Sequence, residues 1–191
     1  LAEQQGVIDW FTLLLGLVAV ITLTIHGANW IILKTSTDLN QRLKKVIFKL
    51  NFVLLALVVA SACLWHYVKP FPLNNLQTHY WLWIFPIFGA VGLIGLFRIN
   101  KFKKDSSGFL FSSMFIFGSF ATTIASMFPT LLPSTNGVNP SLTIQNVAAH
   151  EYGLSVGLYW FIIAAILVVA YFIIQFRVFK EKMDDVGYGE H

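Results

Sequence analysis

An all-α integral membrane protein of five transmembrane helices, a four-helix bundle plus one peripheral helix, is the architecture this sequence predicts. Three observations carry that expectation. Of the 191 residues, 57% are hydrophobic and only 12% are charged, more apolar and less charged than ordinary soluble domains. Five runs lack Asp, Glu, Lys and Arg altogether, at 10–33, 50–68, 80–97, 107–128 and 153–176, and each is near the length of ~20 residues that crosses a bilayer. Twelve of the thirteen Lys and Arg then fall on one side of the arrangement, with Lys69 the exception. The positive-inside rule makes that side cytoplasmic, which puts the amino end outside and the carboxyl end inside.

The first span begins at Trp10 and carries Thr22, His26 and Asn29 at i, i+4 and i+7, one stripe of a helix. The basic stretch 34–49 follows as the longest cytoplasmic loop. Cys63, the single cysteine, lies within the second span and reads as packing, since no intrachain disulfide is possible. The third span is the shortest and holds Pro86 near its start, where amides lack intrahelical acceptors and a proline does least harm. It is expected as one span with a kink, and Gly89, Gly92 and Gly95 would let a neighbouring helix come close.

The fourth span is rich in small and hydroxylated residues, from Ser112 to Ser126, which suits a central position in a bundle within lipid. An outer loop, 129–152, separates it from the fifth span. Pro129 ends the fourth span, and Asn139 followed by Pro140 reads as an N-cap and first helical residue of a short helix running to about Ala149. The last span is largely branched and aromatic, as suits a helix lying against membrane lipid. Trp10, Trp65, Tyr67, Tyr80, Trp81, Trp83 and Tyr152 all fall at the predicted outer ends, the depth of an interfacial aromatic belt.

Several function classes lose ground on these residues. The net charge of +4 and pI near 9.2 express topology rather than nucleic-acid binding. Leu1 opens the chain, and Glu3 and Asp9 replace the basic start of a signal peptide, so the chain reads as a piece of a longer protein. No span contains Asp or Glu, which removes the usual residues of a proton relay. Phosphate loops, nucleophile elbows and paired catalytic carboxylates are absent from the sequence.

The histidines leave alternatives open. His26 reads either as a neutral residue hydrogen-bonded to a neighbouring helix or to Thr22, or as a haem ligand. His26 and His66 lie roughly 7 Å inside and roughly 10 Å outside the middles of their spans, from the helical rise per residue, so one haem cannot take both. His66, His79, His150 and Glu151 share the outer side, but their spacing matches no metal motif. A transporter module and a stand-alone haem b membrane protein are the competing readings. The one proline within a span lies toward its outer end, away from the midplane where transporters break their helices.

"HGANWIILKT" at 26–35, "FPTLLPS" and "NPSLTIQNVA" in the outer loop, and the basic exit "FRVFK" resemble the second half of subunit II of cytochrome bd-type quinol oxidases. The resemblance implies the second four-helix bundle plus the additional peripheral helix, in a bacterial or archaeal plasma membrane. It implies a complex that oxidises quinol and reduces dioxygen to water. Haem b and haem d would sit in subunit I, the partner, with subunit II a haem-free chain needed for assembly and stability. A structural quinone is the one further group it allows in this subunit. No catalytic, cofactor-binding or metal residue is carried over. The positions that match the signature or suggest structural roles are His26, Asn29, Lys34, Pro129, Pro133, Ser134 and Asn146. His150–Glu151 departs from the family pattern, where small polar residues are expected.

Overall fold

The computed structural model describes residues 10–36, 38–68, 71–98, 104–132, 134 and 141–179, the side chains of 66–68 and 71–74 excepted. The helices in order are α1 (Trp10–Lys34), α2 (Asp38–Val68), α3 (Phe71–Thr78), α4 (Ile84–Phe97), α5 (Ser106–Met127), α6 (Ile144–Val147) and α7 (Glu151–Val178). A 3₁₀ turn, Tyr80–Trp83, leads into α4, and two short strands, β1 (Thr130–Leu132) and β2 (Leu142–Thr143), precede α6. Five stretches are long and apolar enough to cross a membrane: α1, the Asp38–Trp65 part of α2, the 3₁₀ turn with α4, α5 and α7. The chain is a multi-pass membrane protein, as its sequence predicts. Contacts divide it after Phe128 into two compact units, each described by itself.

In the first unit α1 packs on α2 and α5, while α4 packs on α5 and α2, which closes a four-helix ring. The seam of the first hairpin has the seven-residue period of coiled-coil packing. Thr22, Ile25, Asn29 and Ile32 are its buried positions on α1, and Asn40, Ile47, Leu54 and Ser61 recur every seventh residue on α2. Leu93 and Leu96 of α4 and Phe115 of α5 complete one core cluster with Ile25, Ile32, Ile47 and Leu54. Polar and apolar residues alternate along this seam because helices in lipid gain more from close fit and hydrogen bonds than from burying grease.

The expected 34–49 loop is mostly helix, since α2 starts at Asp38 and runs 31 residues. Hydropathy detects the lipid-crossing part of a helix but not its charged continuation. Here Asn40 and Ile47 keep the buried seam going through the charged stretch. Asn40 Nδ2 fastens the hairpin turn by donating to the Ile32 and Thr35 carbonyls at 3.1 and 3.2 Å, two of the acceptors a helix end leaves without intrahelical partners.

The third span also differs from the expectation of a single kinked helix. Pro86 is the third residue of α4, in the first turn where no amide is needed. The break lies before it, at the 3₁₀ turn. From there α4 and α5 approach backbone to backbone: a Cβ built on Gly92 would lie 2.5 Å from Phe115 N and 2.8 Å from Phe111 O. Gly118 meets the Gly89 backbone just as closely, so the glycines and the small-residue span act as the sequence suggested.

The short helix α3, unforeseen in the sequence, packs on α5. Asn75 Nδ2 donates to the Ala125 and Phe128 carbonyls at 2.6 and 2.9 Å, which caps the end of α5 just before Pro129.

In the second unit β1 and β2 pair antiparallel, with an irregularity between Thr130 and Leu132, and Ile144 N donates to Pro129 O at 3.0 Å. The expected helix from Asn139 to Ala149 is corrected: it spans only Ile144–Val147, capped by Thr143, and Asn139 and Pro140 lie outside the described residues. The backbone turns extended at Ala148 (ψ 136°) and again at His150 (ψ 149°), and α7 begins at Glu151. No residue of α7 is buried, and its apolar side chains point all round, as on a helix meant for an apolar environment.

Candidate functional site

The polar stripe of α1 is the place where the sequence put chemistry at membrane depth, and its neighbours define what it does. His26 Nδ1 lies 2.8 Å from Ser112 Oγ of α5, and that hydroxyl also reaches the Phe109 carbonyl at 2.9 Å. A hydroxyl can accept from an imidazole N–H while donating to a carbonyl, so the three groups form one chain from α1 into the α5 backbone. His26 is therefore bonded to a neighbouring helix, not to Thr22. Thr22 Oγ1 is buried without a hydrogen-bond partner.

An aromatic ladder runs beside this link toward the basic end. The His26 ring stacks on Phe109 at 4.6 Å between centroids, Trp30 lies 5.2 Å from the same Phe109, and Lys34 Nζ sits 5.2 Å over the Trp30 ring. His26, Trp30 and Lys34 are spaced four apart, one row of a helix surface. Phe109 is wedged against this row from α5. Lys34 thus ends the stripe through a cation–π contact. The i, i+4, i+8 spacing was visible in the sequence, but nothing there says that Phe109 and Ser112 face it.

Asn29, the remaining signature residue of α1, is 1% exposed. Together with Asn51 and Lys44 of α2 it lines a small cavity. Asn51 Nδ2 donates to the Leu96 carbonyl of α4 at 3.0 Å. At the basic end Lys44 Nζ pairs with Asp105 at 2.9 Å, both side chains partly exposed. Sequence reading missed Asn40, Asn51 and Asn75, each of which bonds a main-chain carbonyl. The signal available was an asparagine set in or beside an apolar helix, where an unsatisfied amide is costly.

In the segment after α5, Ser134 and Asn146 take part in local hydrogen bonds. Thr143 and Asn146 form a reciprocal cap, with Thr143 N donating to Asn146 Oδ1 at 2.7 Å and Asn146 N to Thr143 Oγ1 at 3.4 Å. Asn146 Nδ2 also donates to Ser141 O at 2.9 Å, and Ser134 N donates to Ser141 Oγ at 3.0 Å. Pro129 supplies the carbonyl that Ile144 uses. Pro133 lies outside the described residues. His150 is the N-cap residue of α7 without a side-chain bond, and Glu151 opens its first turn, where a carboxylate favours the positive end of the helix dipole. That accounts for Glu151 without a ligand. Among the described residues, no three of His, Cys, Asp and Glu cluster as a metal site would require.

A wider groove of about 620 Å³ opens between the 3₁₀ turn and start of α4 on one side and the later part of α5 on the other. Trp81, Phe85, Phe117 and Phe128 line it, with Asn75 and His79 its polar members. Its size and mostly apolar walls are those of a small-molecule site. The Nδ2 of Asn75 is committed to Ala125 and Phe128, so N–H donors for a ligand would come from His79 and Trp81.

The family model for cytochrome bd terminal oxidase subunit II matches residues 3–179. The chain belongs to that family. A relative in Haemophilus influenzae (strain ATCC 51907 / DSM 11121 / KW20 / Rd), a probable cytochrome oxidase subunit 2, is 27% identical over 199 residues, covering 91% of this chain and 53% of the relative. The chain thus spans about half the length of the curated relative it matches. In this member of the bd subunit II family, the capped segment before α7 and the His26–Ser112 link are built from residues that hold helices and loops together. Their polar atoms are used on protein partners.

Proposed function

We propose that this chain is a haem-free, helix-holding part of cytochrome bd subunit II, supporting the assembly and stability of a haem-bearing subunit I in a quinol oxidase that reduces dioxygen to water. The observation that carries this reading is the family match over 3–179. Two features of the chain support it. The central parts of the spans lack carboxylates. The ionisable group at depth, His26, is tied to Ser112. Haem b and haem d belong to subunit I on this reading, and no catalytic residue is assigned to this chain.

The basic ends of the helices face the cytoplasm of a bacterial or archaeal plasma membrane, by the positive-inside rule. The groove beside Phe85 and Phe117 has the volume and lining for a structural quinone, with Trp81 and His79 at hand for its carbonyl oxygens. There the chain would bind and shield the ring without passing electrons to it.

Co-expression with a bd subunit I, followed by purification on a tag carried by this chain, tests the assignment. Co-purifying subunit I with haem b and haem d spectra is the expected result. A stoichiometric haem spectrum from this chain alone would overturn the haem-free reading, and failure of any subunit I to co-purify would overturn the partnership.

A further inference from the structure

The core of the four-helix unit holds a cavity among three helices, lined by Asn29 and Ile32 of α1, Lys44, Ile47 and Asn51 of α2, and Leu96 of α4. Its volume, counted as room for the centre of a water molecule, is about 10 Å³, enough for about one water. Two of its walls are amides that are each 1% exposed. Asn29 Nδ2 has no hydrogen-bond partner, and neither does Asn51 Oδ1.

The two orphans are complementary, one a donor and one an acceptor. The orientation of Asn51 follows from its other contact, because only its NH₂ can donate to the Leu96 carbonyl. Buried polar groups left without partners are rare and costly. We propose that this cavity binds one ordered water molecule, which accepts from Asn29 Nδ2 and donates to Asn51 Oδ1.

The bound species follows from the same donor set. A metal cation would need several oxygen ligands, whereas the cavity has the positively charged Lys44 side chain in its wall. An anion would need several donors and more room. Water satisfies one donor and one acceptor together in the space available. The bond series Asn29, water, Asn51 and Leu96 carbonyl then ties α1, α2 and α4 at one level. It is independent of any haem, quinol or partner, and so goes beyond the role proposed above.

A high-resolution map of the protein purified with its membrane partners tests this directly. The expected result is a water peak within hydrogen-bond distance of both Asn29 Nδ2 and Asn51 Oδ1. An amide–amide bond with no peak between, or an empty cavity in a map that resolves other internal waters, overturns the proposal. Two variants give a second readout. Asn29→Leu fills the cavity and strands Asn51, so the peak is lost and the apparent Tm falls. Asn29→Ser keeps a polar group and room for water, and should retain the peak and most of the Tm. Equal Tm values for the two variants would count against a bound water.

Discussion

Replacing Gly92 by Ala should be among the most damaging single-methyl changes in the chain. The new Cβ would sit 2.5 Å from Phe115 N, 2.8 Å from Phe111 O and 3.0 Å from Phe115 Cα. Ordinary contact lies at about 3.5–4.0 Å between carbons, so α4 and α5 must separate by roughly 1 Å at this level. All three obstacles are backbone atoms of a helix interior, so no side-chain rotation relieves them. A gap of that size forfeits about a quarter to a half of the dispersion energy of each neighbouring contact, and overpacking of this kind typically costs about 1–3 kcal/mol. Taking about 2 kcal/mol, the folded-to-unfolded ratio falls by roughly 30-fold. Gly27→Ala is the control, because a Cβ there meets nothing within 4 Å and Ala stabilises a helix interior over Gly by about 0.5–1 kcal/mol. Unfolding of the two detergent-purified variants, followed by circular dichroism in an SDS titration, measures the difference. Equal midpoints would refute the close-approach reasoning.

Other outcomes follow from single contacts. In a double-mutant cycle, His26→Phe and Ser112→Ala should couple by about 0.6 kcal/mol, the scale of interhelical hydrogen bonds in membranes; strict additivity of their unfolding free energies would show that the pair does not bond. Asn146→Ala removes the side-chain half of the cap on α6, the Oδ1 that accepts from Thr143 N, together with the bond to Ser141, and leaves the backbone half from Asn146 N to Thr143 Oγ1 in place. It should cost about 1 kcal/mol locally, read as faster amide exchange at Thr143, and unchanged exchange would refute the role. Asp105→Asn breaks the partly exposed pair with Lys44 and should change stability by no more than about 1 kcal/mol; a larger loss in thermal unfolding would mean the pair is buried against another chain.

The five crossings were legible because charge-free runs of bilayer length have few other uses. Gly89, Gly92 and the small residues of α5 were legible as close-packing surfaces for the same kind of reason. Much of what the sequence left unread is amide chemistry. Asn40, Asn51 and Asn75 each bond a carbonyl of another element, and a lone asparagine gives no hint of which carbonyl it will meet. In the outer segment Asn139–Pro140 looked like the stronger helix start. Thr143 and Asn146 took that role instead, because their reciprocal cap satisfies two amides at once.

Composition and periodicity by themselves determined that this chain crosses a membrane as helices, how many times, and which stripe of α1 carries polar groups. They act locally, through backbone hydrogen bonding in lipid and the spacing of residues along one helix. Only the tertiary structure decided that Ser112 and Phe109 meet His26, that Asn29 and Asn51 leave complementary atoms at one cavity, and that α2 continues past the membrane-crossing stretch. Those pairings depend on which helices become neighbours and at what height, and no single helix contains that information.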